Sequence, residues 1–394
     1  MIKQERVEKY NNLILSSLFM IPAYLGLMEY GFGVRRDSFL AVYMVSVFIV
    51  VIANAIVSRV MRLNTNCIGL TLLLTIQFLI SFIMGNFTYA SYSVAQFGFY
   101  VIVPAYCIAQ KYNVEIVLRN IIYFSIPLLV VINKALVITN VGLGQADMYE
   151  IYAYLPCVLC SLTHFVWYRK KANIAIKIGY IVNLYFFVTL AAVAVRGFWV
   201  ALFFYVILLF FYYIKKRLLG GIYYFVLILC GLMFFICLYN WSLILGWIVT
   251  TLQEYTNMEV SFLIKTSRYL ADGNISNGRM EIWESVIDYI ISSPIWGYGI
   301  ESAPKITNGY INYPHNSILQ LLLDGGLLFG MLPSALAIIG LIKTIQVKFS
   351  EENQIFAVFI TSVGLSISLL SGDAWKSATL WLSVFFFARQ LRVR

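Results

Sequence analysis

Charge is what this sequence has least of. Only 12% of its 394 residues are Asp, Glu, Lys or Arg, and 61% are hydrophobic. A soluble domain of ordinary make-up carries about 25% charged residues. Apolar runs of about 20 residues recur along the chain, the length a helix needs to cross a bilayer. The period-two alternation of a transmembrane barrel is missing. The expected fold class is therefore all-α and polytopic, a single integral membrane domain over residues 1–394.

Other scarcities narrow the chemistry. There are two histidines and six cysteines. The cysteines all lie in apolar runs, where the residue acts as a small hydrophobe. Cys157 and Cys160 form a CxxC, but no second pair or histidine cluster completes a zinc set. No grouping of His, Asp and Glu has metal-ligand spacing, so neither a metal nor a cofactor is expected. The glycines follow no strand, which removes dinucleotide and P-loop readings. Basic residues sit beside helix ends and are not interleaved with aromatics, so no nucleic-acid partner is expected. The charged start, MIKQERVEKYNN, lacks a small-residue cleavage site after its apolar run and reads as a cytoplasmic tail before a retained first helix.

What is present is a succession of about twelve spans: 12–29, 38–57, 67–85, 92–109, 119–138, 150–168, 174–195, 197–214, 218–239, 316–342, 354–371 and 375–389. With both termini inside, the cytoplasmic loops and tails collect 19 of the 28 Lys and Arg residues, as the inside-positive bias requires. The exception is the first outer loop, which carries Arg35 and Arg36. One loop is long. Residues 240–315 form an external segment between spans nine and ten. It opens on the apolar, Trp-rich WSLILGWIVTTL, which suits the membrane interface. Farther on, the spacing predicts a helix capped by Asn277, with Ile282, Trp283, Val286, Ile287, Ile290 and Ile291 on one stripe, Glu284 and Asp288 facing away, and Pro294 ending it.

Three residues stand out. Arg279 opens that helix, where unpaired N–H groups and the helix dipole favour phosphate and a guanidinium adds a bidentate donor; a solvated arginine paired with Glu281 is the plainer alternative. Arg196 is the only charge between Ile178 and Ile214, at the outer turn between two spans, where an arginine is costly and marks a candidate functional site. His315, in Tyr313-Pro314-His315-Asn316, lies at the outer surface before span ten, where a neutral imidazole suits a general base. Asn316 either caps span ten or binds a polar substrate. His164, mid-span, reads as structural. Asp324 is half a turn out of phase with His315 and reads as a contact between helices. Gly297 and Gly299 fit a tight turn, and Gly325, Gly326 and Gly330 close helix packing.

Taken in order, Arg196-Gly197, Gly278-Arg279-x-x-x-Trp283, Pro294-x-x-Gly297-x-Gly299, His315-Asn316-x-x-Leu319 and Gly326-x-x-x-Gly330 resemble the O-antigen ligase/polymerase superfamily, and within it most closely the Wzy-type polymerases. The resemblance runs from about Arg196 to Gly330 and departs where Val195 precedes the first arginine in place of a serine. It implies a multi-pass glycosyltransferase of the bacterial inner membrane, acting from the periplasm on undecaprenyl-diphosphate-linked glycans as donor and acceptor. Arg196 and Arg279 would neutralise the diphosphate and His315 would take the acceptor proton. Asn316, Trp283, Tyr313 and Gly299 would line the substrate site. A chain-length regulator and a flippase are the partners implied. A ligase passing glycan to lipid A-core is an alternative. A flippase for the same lipid is another, but it would spread buried charges over several spans, whereas here they gather at one face.

Overall fold

The computed structural model describes residues 2–58, 64–88, 92–132, 146–193, 196–216, 278–369 and 372–391. The described residues are helical and contain no strand. Helices occupy eleven of the expected spans. They are α1 (Ile2–Gly26), α2 (Arg36–Ser58), α3 (Thr65–Ile83), α4 (Val94–Ala109), α5 (Val114–Ser125), α6 (Ala146–Tyr168), α7 (Ile174–Val193) and α8 (Arg196–Lys215), followed by α9 (Arg279–Ser292), α10 (Ser317–Gly325), α11 (Met331–Ile345), α12 (Glu351–Ile360) and α13 (Ala378–Arg389). α9 belongs to the long loop, and α10 with α11 makes up span ten. Six of these stretches are long and apolar enough to cross a membrane. Span nine, the Trp-rich opening of the loop and Asn277 lie outside the described residues.

The helices start where the sequence supplies caps. Asn64 accepts from Asn66 N and Cys67 N ahead of α3, and Asn113 accepts from Ile116 N ahead of α5, each satisfying amides the helix leaves unpaired. α13 is buried on every side from Leu380 to Ala388, as a helix apolar all round should be. It packs against α4, α11 and the widened turn Thr361–Leu365 that continues α12. On the other side of the core, α1 packs between α5 and α6.

Two buried asparagines of α1 bond to backbone, as an apolar surrounding favours. Asn11 Nδ2 donates to Cys107 O at 2.9 Å, and Asn113 N donates to Asn12 Oδ1 at 2.9 Å. Cys67, Cys107, Cys157 and Cys160 are buried free thiols. His164 is buried with Nδ1 2.6 Å from the Tyr180 hydroxyl, the structural role expected of it.

Span ten is not one continuous helix. α10 ends at Gly325, Gly326 takes φ 55, and a widened turn, Gly326–Gly330, leads into α11. Of the three glycines expected to let helices approach, Gly326 instead lets the chain break and turn, while Gly325 and Gly330 allow the close approach. A Cβ on Gly330 would lie 2.0 Å from Leu321 O.

Candidate functional site

α9 lies alongside α10 and runs parallel to it. At the upper end, Trp283 Nε1 donates to Pro314 O at 2.9 Å. At the lower end, Tyr298 N donates to Leu323 O at 2.9 Å and Gly299 N to Asp324 O at 2.8 Å. Leu327 N and Leu328 N donate to Pro294 O and Ile295 O at 2.8 and 3.0 Å. The strap 294–299 thus occupies backbone groups around the break in span ten. Between the two ends, Val286 of α9 and Leu323 of α10 share a small core with Ala303 and Ile311. The packed stripe of α9 is Ile282, Val286, Tyr289 and Ile290. Ile287 and Ile291, expected on it, are exposed. The apolar residues wrap too far round α9 for one partner helix to cover them all.

This packing brings the start of α9 to His315. Arg279 is the first helical residue, and Gly278 holds the cap position at φ 76 with no side chain capping it. His315 adopts φ 57, a left-handed conformation that costs a non-glycine residue about 1–3 kcal/mol and persists only where the surroundings enforce it. Three contacts surround this residue. Trp283 grips the carbonyl of Pro314, the Tyr313 ring lies 4.3 Å from the imidazole between centroids, and Asn316 Oδ1 accepts from Ile318 N and Leu319 N to cap α10. Burial, and secondly the positive charge of Arg279, hold the His315 imidazole below its ordinary value of 6.5. Each disfavours a second positive charge. Nδ1 of His315 is buried without a hydrogen-bond partner. A neutral imidazole beside a guanidinium can accept a proton while the arginine holds an anion.

Of the residues singled out from the sequence, Arg279, His315, Trp283, Tyr313 and Asn316 are gathered at this end of α9 and α10. The Oδ1 of Asn316 is used in the cap. Arg196 begins α8, and the two residues that would form the expected turn before it lie outside the described residues. Gly299 is buried deeper, at φ 87, where a Cβ would lie 2.5 Å from Asn86 Nδ2. Asp324 makes the contact between elements expected of it, accepting from Ser302 Oγ at 2.6 Å and Trp375 Nε1 at 2.7 Å.

Sequence reasoning missed the network below the site. Glu301, at φ 57 and 3% exposed, reaches Lys376 at 3.3 Å. Lys376 also pairs with Asp373 at 3.1 Å, and Gln320 Nε2 donates to Asp373 Oδ1 at 2.8 Å. Burial and the adjoining Asp373 carboxylate push Glu301 well above the ordinary carboxylate range, while Lys376 and hydrogen bonds outweigh burial to hold Asp373 below it. Gln320 and Asp324 lie on one stripe of α10, so the network fastens the helix that carries His315 to the turn before α13. The signal available was Asp373-x-x-Lys376, two opposite charges between apolar spans.

No curated protein matches the chain. The family model described as O-Antigen ligase matches residues 181–333, an interval that contains Arg196, α9, His315 and the break in span ten. Residues 181–333 are thus similar to the O-antigen ligase family, and they lie in a chain whose described residues form an all-α polytopic membrane fold.

Proposed function

We propose that the chain is an inverting, metal-independent glycosyltransferase. It joins undecaprenyl-diphosphate-linked repeat units into O-antigen or capsule-type polysaccharide at the periplasmic face of a bacterial inner membrane, with both termini cytoplasmic. The observation that supports this best is the meeting of Arg279 and a half-buried His315, whose imidazole is held below its ordinary pKa, across α9 and α10. An acceptor alcohol is a weak nucleophile and a diphosphate needs its charge stabilised, so the reaction requires a placed base and placed cations. In this reading the acceptor oxygen attacks the anomeric carbon and His315 takes its proton. The bond from that carbon to the diphosphate oxygen breaks, and the electron pair leaves on the diphosphate against Arg279 and Arg196. Attack opposite the leaving group inverts the centre. Trp283 and Tyr313 contribute by fixing the His315 turn and offering ring faces to sugar.

A second reading, transfer of the finished glycan to lipid A-core, is favoured by the description of the matched family. The two separate on their products. Purified protein in liposomes is given an undecaprenyl-diphosphate repeat unit with EDTA present. A ladder of longer glycans on the carrier supports the polymerase. Transfer only after lipid A-core is added supports the ligase. Movement of the lipid across the bilayer without any new glycosidic bond would overturn both in favour of a transporter.

A further inference from the structure

α9 turns an apolar face away from the protein. Ile287 and Ile291 are 43% and 68% exposed, and just beyond the helix Ile295 and Trp296 are 56% and 63% exposed. Glu284 and Asp288, also exposed, lie on the neighbouring stripe. In water such a patch would call for a protein partner. Here it joins a surface that already faces lipid. Leu327 and Leu328, 52% and 44% exposed, open the lipid-facing side of span ten. Their amides donate to Pro294 O and Ile295 O, so the two exposed sets are fixed to one another through backbone.

The level of this junction follows from length. Span ten runs from Ser317 to Ile345, 29 residues, whereas about 20 cross a hydrocarbon layer of about 30 Å. Counted back from Ile345, about 20 residues reach Gly326, so the break stands at the hydrocarbon boundary, with α10 folded back beside the turn that follows it. The strap bonded to the break stands at that boundary too, where tryptophan is enriched.

We propose that the distal half of α9, with Ile287, Ile291, Ile295 and Trp296, is immersed in the interfacial layer of the bilayer on the side of His315. α9 is then an in-plane membrane anchor and not a free loop helix. The sequence assigned interfacial character only to the opening of the loop. A second copy of the chain fits less well, because the patch runs without a boundary into lipid-facing residues. One consequence concerns position: along this in-plane helix Arg279 lies eight residues from Ile287, about 12 Å, and so stays at the level of the headgroup layer. Phosphate carried by a membrane lipid therefore comes within reach of the start of α9. The inference needs only the spans and the exposed face, so it stands or falls apart from the glycosyl-transfer reading.

The test is spin labelling of the full chain in phosphatidylethanolamine–phosphatidylglycerol liposomes, with Cys230 and Cys237 replaced by serine. Labels are placed at Ile287→Cys, Ile291→Cys and Asp288→Cys, and collision with oxygen is compared with collision with a water-soluble nickel chelate. The expected ratio of oxygen to nickel accessibility is severalfold higher at 287 and 291 than at 288. Equal access by the nickel chelate at all three positions would overturn the proposal. Exclusion of both reagents at 287 and 291 would overturn it too, because it would mean that protein covers the face. Two reporter positions keep the test decisive if one variant fails to fold.

Discussion

His315 is held in a left-handed turn by Trp283 on one side and the Asn316 cap on the other, and its imidazole is kept neutral by burial and by Arg279. A base acts in its neutral form, so transfer falls as pH drops through the imidazole's pKa. The acid limb of kcat/KM against pH should lie below 6.5, the ordinary value. Arg279→Gln removes the nearby positive charge and lets the imidazole bind a proton more readily. Its residual activity should therefore show the acid limb moved to higher pH, as a pH–rate profile would reveal. A limb that stays in place would mean that the two side chains do not sense one another. Glu301 is a different case. Its pKa is raised above the ordinary 4.5 by burial and by Asp373, so the folded state holds that proton more tightly than the unfolded chain. This stabilisation is full below pH 4.5 and is lost as pH rises through the elevated folded value. Glu301→Gln, which imitates the protonated acid, should flatten that decline while leaving stability at neutral pH within about 1 kcal/mol. Chemical denaturation followed across pH would measure both.

At the scale of elements, the site depends on how closely α9 and its strap approach α10. Gly297 is at φ 67, and a Cβ there would lie 2.6 Å from Gly326 N and 2.7 Å from Asp324 O. Neither backbone atom can withdraw without opening the break in span ten. Gly297→Ala should cost about 1–3 kcal/mol, seen as a lowered Tm in detergent, with transfer lost in proportion as α9 shifts. The Asn316 side chain tests whether its cap or its amide matters. Asn316→Ser keeps an oxygen that can cap and should retain stability and transfer. Asn316→Ala should lose about 1 kcal/mol of stability. A serine variant that folds normally but no longer transfers would show that the amide itself meets substrate.

At the scale of the molecule, helices were legible because apolar runs of bilayer length leave them little choice, and α1 to α8 fall where those runs lie. Arg279, His315 and Trp283 were legible as candidates because charged and aromatic residues at the edge of an apolar bundle stand out. Two features were not. The break at Gly326 was hidden because the apolar run continues through it; only the strap 294–299, bonded to both sides of the break, gives the glycines their purpose. The Glu301–Asp373–Lys376 network joins residues more than 70 positions apart, and nothing local in the sequence pairs them. The central claim is that His315, set beside Arg279 by the packing of α9 on α10, is the base for glycosyl transfer. Its most direct test is the transfer rate of His315→Ala in liposomes on a defined lipid-diphosphate donor, with membrane insertion and Tm checked against the parent chain. A loss of about 10²–10⁴-fold with folding intact is the predicted result. Transfer within a few fold of the parent would contradict it.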